Sequence, residues 1–132
     1  MRLPFQRKPE SAADSYVLGN EIAHPRTLVS VPRSYHLLVL GESGSGKGSV
    51  QANIIKQEVK ADGEVWMVDL KHSFESSHYS SILSRQAGTL ADMEELLRDF
   101  NREVDLRAEQ WRGKTRNLTD KQATHRLLVI DE

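Results

Sequence analysis

The sequence predicts an α/β fold in which crossover helices join the strands of a parallel sheet. Three observations carry that prediction. Short continuous apolar runs occur at 35–40, 64–70 and 127–130, the pattern of strands buried on both faces. Helical periodicity fills intervals between them, most strongly over 90–112. The resulting order, strand-helix-strand-helix-strand, is the alternation that builds a parallel sheet.

Residues 1–15 carry two prolines and no periodicity, and read as a flexible tail ahead of a folded part over 16–132. "SYVLGNEI" (15–22) predicts a short strand closing on the turn signal Gly19-Asn20. Pro25 and Pro32 then make 23–34 extended or irregular. "YHLLVL" (35–40) is a buried-strand run with glycine directly behind it. A helix follows from Gly46 to about Lys60, with Val50, Ile54 and Val59 at rough helical spacing, and "ADG" (61–63) stops it. "EVWMVDL" (64–70) is a second buried strand, whereas the serine-rich 71–88 has no assignable pattern. Over 90–112, Leu90, Met93, Leu97, Phe100, Val104, Ala108 and Trp111 form an apolar stripe read as core packing. A polar connection (112–126) leads to "LLVI" (127–130), a third buried strand running into Asp131-Glu132.

Composition narrows the function classes. The chain is 38% hydrophobic and 28% charged, ordinary for a globular protein, and its formal net charge of −1 gives no overall pull toward nucleic acid. There are no cysteines, which excludes disulfides and thiolate zinc sites. The histidines show no HExxH or HxxxH spacing, so a metal cluster is not expected. No segment approaches the roughly 20 continuous apolar residues of a membrane span, and "MRLPFQRKPE" has no apolar stretch of a secretory leader. A cytoplasmic protein without a membrane segment is the expectation.

The chemistry centres on "GESGSGKGS". Gly41-Glu42-Ser43-Gly44-Ser45-Gly46-Lys47 fits the phosphate-binding loop GxxxxGK, with Gly48 and Ser49 continuing into the helix. Such a loop needs glycines so that its backbone N–H groups curl inward around phosphates, aided by the positive end of the following helix. Lys47 would reach the terminal phosphates of ATP as a point charge and is a candidate catalytic residue. The bland alternative is a glycine-rich turn with no ligand. The setting, after an apolar strand and at the start of a helix, favours a P-loop NTPase. Asp131 then reads as a Mg²⁺ holder acting through water, and Glu132 as the catalytic residue that polarises the attacking water. Alone, these two would read as a solvated acidic pair.

One position departs from the motif. After Gly46-Lys47 the loop calls for Ser or Thr, whose hydroxyl binds Mg²⁺, and this chain has Gly48. Ser49 lies about 100° further round the helix and does not simply substitute. The expectation is that nucleotide binds, water fills the vacant Mg²⁺ position and metal affinity is reduced.

The segment "VLGNEIAHPRTLVSVPRSYHLLVLGESGSGKGSV", the "MVDLKHSFE" run with Asp69, Lys71 and Glu75, the long helix followed by "GKTRN", and "LLVIDE" together resemble the FtsK/SpoIIIE family of DNA translocases. The resemblance spans 17–132, and the GKG-Ser variant resembles plasmid- and phage-associated members. It implies a RecA-like parallel sheet, a motor driven by ATP and Mg²⁺, duplex DNA as partner, and a ring, usually a hexamer, with ATP between subunits. In that family the sheet continues beyond the Walker B strand, so 16–132 reads as the N-terminal part of a motor domain, incomplete at its C-terminal end. The basic connection with Arg112, Lys114, Arg116, Lys121 and Arg126 could touch phosphates or simply be solvated. Two alternatives stay open beside the duplex-DNA motor: a transfer or packaging ATPase for single-stranded DNA or protein, and a non-hydrolysing ATP-binding remnant.

Overall fold

The computed structural model describes residues 14–72, 74–115 and 118–131. The predicted tail up to residue 13 and the predicted site residue Glu132 lie outside that set, as does Arg116 of the basic connection. The chain forms two compact units, one up to Ala61 and one from Asp62.

In the first unit, strand β1 (Ser15–Asn20) pairs antiparallel with β2 (Leu28–Pro32), joining Tyr16 to Val31 and Asn20 to Leu28 in register. A turn closes the hairpin, with Glu21 N–H donating to Thr27 C=O at 2.9 Å. The segment read as extended or irregular is extended over Leu28–Pro32, where it forms this second strand. Helix α1 (Lys47–Lys60) packs on β1 and buries Ile54 and Ile55. It stops at the predicted "ADG", where Asp62 takes a left-handed φ of 59°.

Much of the α1–β1 contact is polar. Glu58 is fully buried and accepts from the Tyr16 hydroxyl and from Arg33, whose Nη2 lies 2.8 Å from Oε1. The side chain of Gln57 both accepts from and donates to the Val17 backbone at 2.8 Å, and Asn53 donates to the same carbonyl at 2.9 Å. An isolated carboxylate would be costly in this position. Paired with a buried guanidinium and a hydroxyl, it is compensated.

The predicted strand at 35–40 is a correction. These residues join no ladder among the described strands, and Leu38 and Leu40 are 83% and 80% exposed. An apolar run becomes a buried strand only where neighbours satisfy its backbone groups and other elements cover its faces. Within its unit the described residues supply neither.

The second unit carries the parallel sheet, in the order β4-β3-β5. Strand β3 (Glu64–Asp69) is central, with Val65, Trp66, Met67 and Val68 buried as predicted. β4 (Arg85–Ala87) and β5 (Arg126–Asp131) flank it. Helix α2 (Leu90–Trp111) starts where Thr89 Oγ1 accepts the Asp92 N–H at 3.2 Å, an N-cap. The core is Trp66, Val68, Ala87 and Leu96, with Met93, Leu97, Phe100 and Leu128 packed around it. Trp66 meets Phe100 edge-on at 5.5 Å, and the Arg85 and Arg126 guanidinium groups lie 5.0 and 5.3 Å from its ring centre.

The predicted stripe is only partly buried. Leu96, outside it, is the fully buried residue of α2, while Leu90 and Val104 are exposed. A helix of 22 residues runs to roughly 33 Å. The six-residue strands reach only about 20 Å, so the last turns of α2 outrun the sheet that would cover them.

Candidate functional site

The glycine loop is built by local geometry. Ser45 N–H donates to Glu42 C=O at 3.1 Å, a tight turn. Gly44 (φ 79°) and Gly46 (φ 96°) both take left-handed backbone, which glycine adopts without a Cβ penalty. A Cβ on Gly41 would overlap the Ser45 hydroxyl and press on Lys47 Cγ at 3.3 Å. Gly46 is the N-cap of α1 and makes no side-chain cap bond, and the first turn holds no acidic residue. The positive end of the helix is therefore neutralised by no acid of its own first turn, a setting suited to an anion. The loop is exposed, with Lys47 half-buried at its inner end. A cradle that a Cβ would fill, ending in a lysine at a helix N-terminus, fits a polyphosphate. The structure thus gathers Gly41, Glu42, Ser43, Gly44, Ser45, Gly46, Lys47, Gly48 and Ser49 into one turn-and-helix start.

Asp131 belongs to the second unit. It ends β5 and stands in register with Asp69, the last residue of β3. The two aspartates are not equivalent. Asp69 is fully buried, and its carboxylate accepts the N–H groups of Lys71 (3.0 Å), Glu75 (2.8 Å) and Ser76 (3.1 Å). It folds the loop after β3. Asp131 is half-buried. Burial pushes the Tyr79 hydroxyl above its usual range, and the Glu75 and Asp131 carboxylates push it further the same way. Glu75, Tyr79 and Asp131 therefore share the C-terminal edge of this sheet. Among the described residues no cluster of three or more acidic or histidine side chains could hold a metal.

Sequence reasoning missed the buried Arg33–Glu58–Tyr16 group and Tyr79. A charged pair 25 residues apart leaves no periodic signal, and nothing in the serine-rich stretch singles out Tyr79. The loop-folding role of Asp69 had a local signal, since an aspartate at a strand end commonly accepts backbone N–H groups a few residues on.

The backbone has a counterpart among solved structures. It superposes on the pCW3 conjugation coupling protein TcpA, in its monomer form with ATPγS, with a TM-score of 0.79 and 22% sequence identity. This chain shares the fold of that structure. The shared fold is the P-loop NTPase fold that the motifs predict. The match covers 92% of this chain and 36% of that one, so the chain spans about a third of the coupling protein's length. No protein-family model and no curated protein sequence gave a match.

Proposed function

We propose that residues 16–132 are the ATP-binding and ATP-hydrolysing segment of a double-stranded DNA translocase. The observation that carries this reading is the glycine loop, with its paired left-handed glycines, its close approach at Gly41 and Lys47 at a helix start without an acidic cap. A neighbour of the same fold, solved with ATPγS, supports it. In this reading the loop amides cradle the phosphates, and Lys47 neutralises charge on the terminal ones. Asp131 holds Mg²⁺ through water, and Glu132 orients the attacking water. Asp69 keeps the adjoining loop in place. ATP would sit between subunits of a ring, a hexamer by family resemblance, working on duplex DNA in the cytoplasm. Among the described residues no helix is long and apolar enough to cross a membrane.

A second reading, transfer of single-stranded DNA or protein, is favoured by the neighbour's being a conjugation coupling protein. ATP hydrolysis by the full-length protein, measured with duplex DNA, single-stranded DNA or neither, separates the readings. Stimulation by duplex supports the first, preference for single strands selects the second, and ATP binding without turnover selects a non-hydrolysing remnant. Lys47→Ala should weaken ATPγS binding by about 10- to 100-fold, the worth of a charge-assisted contact. Unchanged binding would sink the nucleotide site itself.

A further inference from the structure

We infer that position 48 uncouples nucleotide binding from Mg²⁺: the loop keeps its phosphate-binding groups and lacks the side-chain metal ligand, for no reason of backbone or packing. This rests on the nucleotide-binding reading above. The other loop glycines are dictated by structure. Gly44 and Gly46 need positive φ, and Gly41 needs the absence of a Cβ against Ser45. Gly48 has neither reason. It lies on α1 without a positive φ, and a Cβ built there meets nothing within 4 Å among the described residues. Serine would fit and would favour the helix over glycine.

The consequence of Gly48 therefore falls on what this position would face. In the P-loop pattern that would be Mg²⁺. Ser49 does not take over. It sits about 100° further round the helix, fixed there by its N–H to Gly46 C=O at 3.1 Å. Water is the natural replacement, since Mg²⁺ readily keeps several waters in its shell. The loop amides, Lys47 and the helix end, which would bind the phosphates, do not depend on a side chain at position 48.

The test is calorimetric titration of ATPγS into the full-length protein, its Gly48→Ser variant and its Gly48→Ala variant, each with Mg²⁺ and with EDTA. The readout is the ratio of the two Kd values for each protein. Losing even an outer partner of a metal shell weakens metal affinity by about 10- to 100-fold. The expected ratio is within about threefold for the natural protein and at least about tenfold larger for Gly48→Ser. Gly48→Ala, which stiffens the helix without adding an oxygen, should keep the natural ratio. Equal ratios for the natural protein and Gly48→Ser overturn the inference and leave the nucleotide site standing. An equal rise in Gly48→Ala assigns the effect to the helix and overturns it as well. No binding by the natural protein in either buffer removes the nucleotide reading and this inference together. Thermal melting of each variant shows whether it has folded.

Discussion

The two units are held together by different chemistry. The C-terminal unit is a conventional α/β core in which β3 is buried on both faces and α2 lays Leu96 and its neighbours on the sheet. The N-terminal unit buries fewer large apolar side chains and ties α1 to β1 through Arg33, Glu58, Tyr16, Gln57 and Asn53. Apolar packing is non-directional and tolerates small shifts. A buried polar group is directional and is expensive when half-broken. The glycine loop thus sits at the start of a helix whose other end is oriented by hydrogen bonds, whereas Asp131 ends a strand held in an apolar sheet.

The largest expected effect breaks the polar side of this contrast. Arg33→Leu strands the buried Glu58 carboxylate and should cost about 3–5 kcal/mol. Hydrogen exchange should show α1 and β1 opening while β3 keeps its protection. Equal loss in both units would contradict the separation. Adding Glu58→Leu to Arg33→Leu should recover much of the stability, because the whole pair is then replaced by apolar groups.

A smaller effect is expected in the C-terminal unit. Asp69→Ala removes the acceptor shared by the N–H groups of Lys71, Glu75 and Ser76. The cost should be about 2–3 kcal/mol, since leaving buried donors unmet is the main penalty. Amides over 74–79 should lose protection, with α1 unaffected. Retained protection at Glu75 and Ser76 would show that Asp69 is not what folds this loop.

The smallest effect is on pH dependence, and its sign differs between the units. Burial first, then the Glu58 hydrogen bond, raises the Tyr16 hydroxyl well above its ordinary value. Its contribution is complete below about pH 10, and is lost as pH rises through the raised value. Asp99 is held below its ordinary value chiefly by its hydrogen bond to Arg85, and Glu103 by its bond to Arg126. Their contribution is present above about pH 4, and is lost as pH falls through the lowered values. Alkali should therefore act mainly on the N-terminal unit through Tyr16, with a smaller effect on the C-terminal one through Tyr79, and acid should act on the C-terminal unit through Asp99 and Glu103. Tyr16→Phe should flatten the alkaline limb and leave the acid limb alone, as read by unit-resolved hydrogen exchange.

The elements legible in the sequence were those with a local cause. Helix α1 runs from the glycine loop to "ADG" because Gly46 and Asp62 take special backbone at its ends. Helix α2 matches its period within a residue at each end, and β3 and β5 match their apolar runs. Gly44 and Gly46 were legible as a special turn because left-handed backbone is a local requirement that glycine meets.

Tertiary structure alone decided the rest. β4 is three residues long and exists because β3 offers it a parallel edge. Leu96, outside the predicted stripe, became the buried residue of α2 because helix orientation on the sheet, not period alone, selects the inward face. The Tyr16–Glu58 contact joins residues 42 apart, beyond any local pattern. The run at 35–40 makes the same point from the other side. Its composition asks for burial in a sheet, but a strand is completed by the hydrogen-bonding groups of its neighbours, and those are a property of the fold rather than of the run.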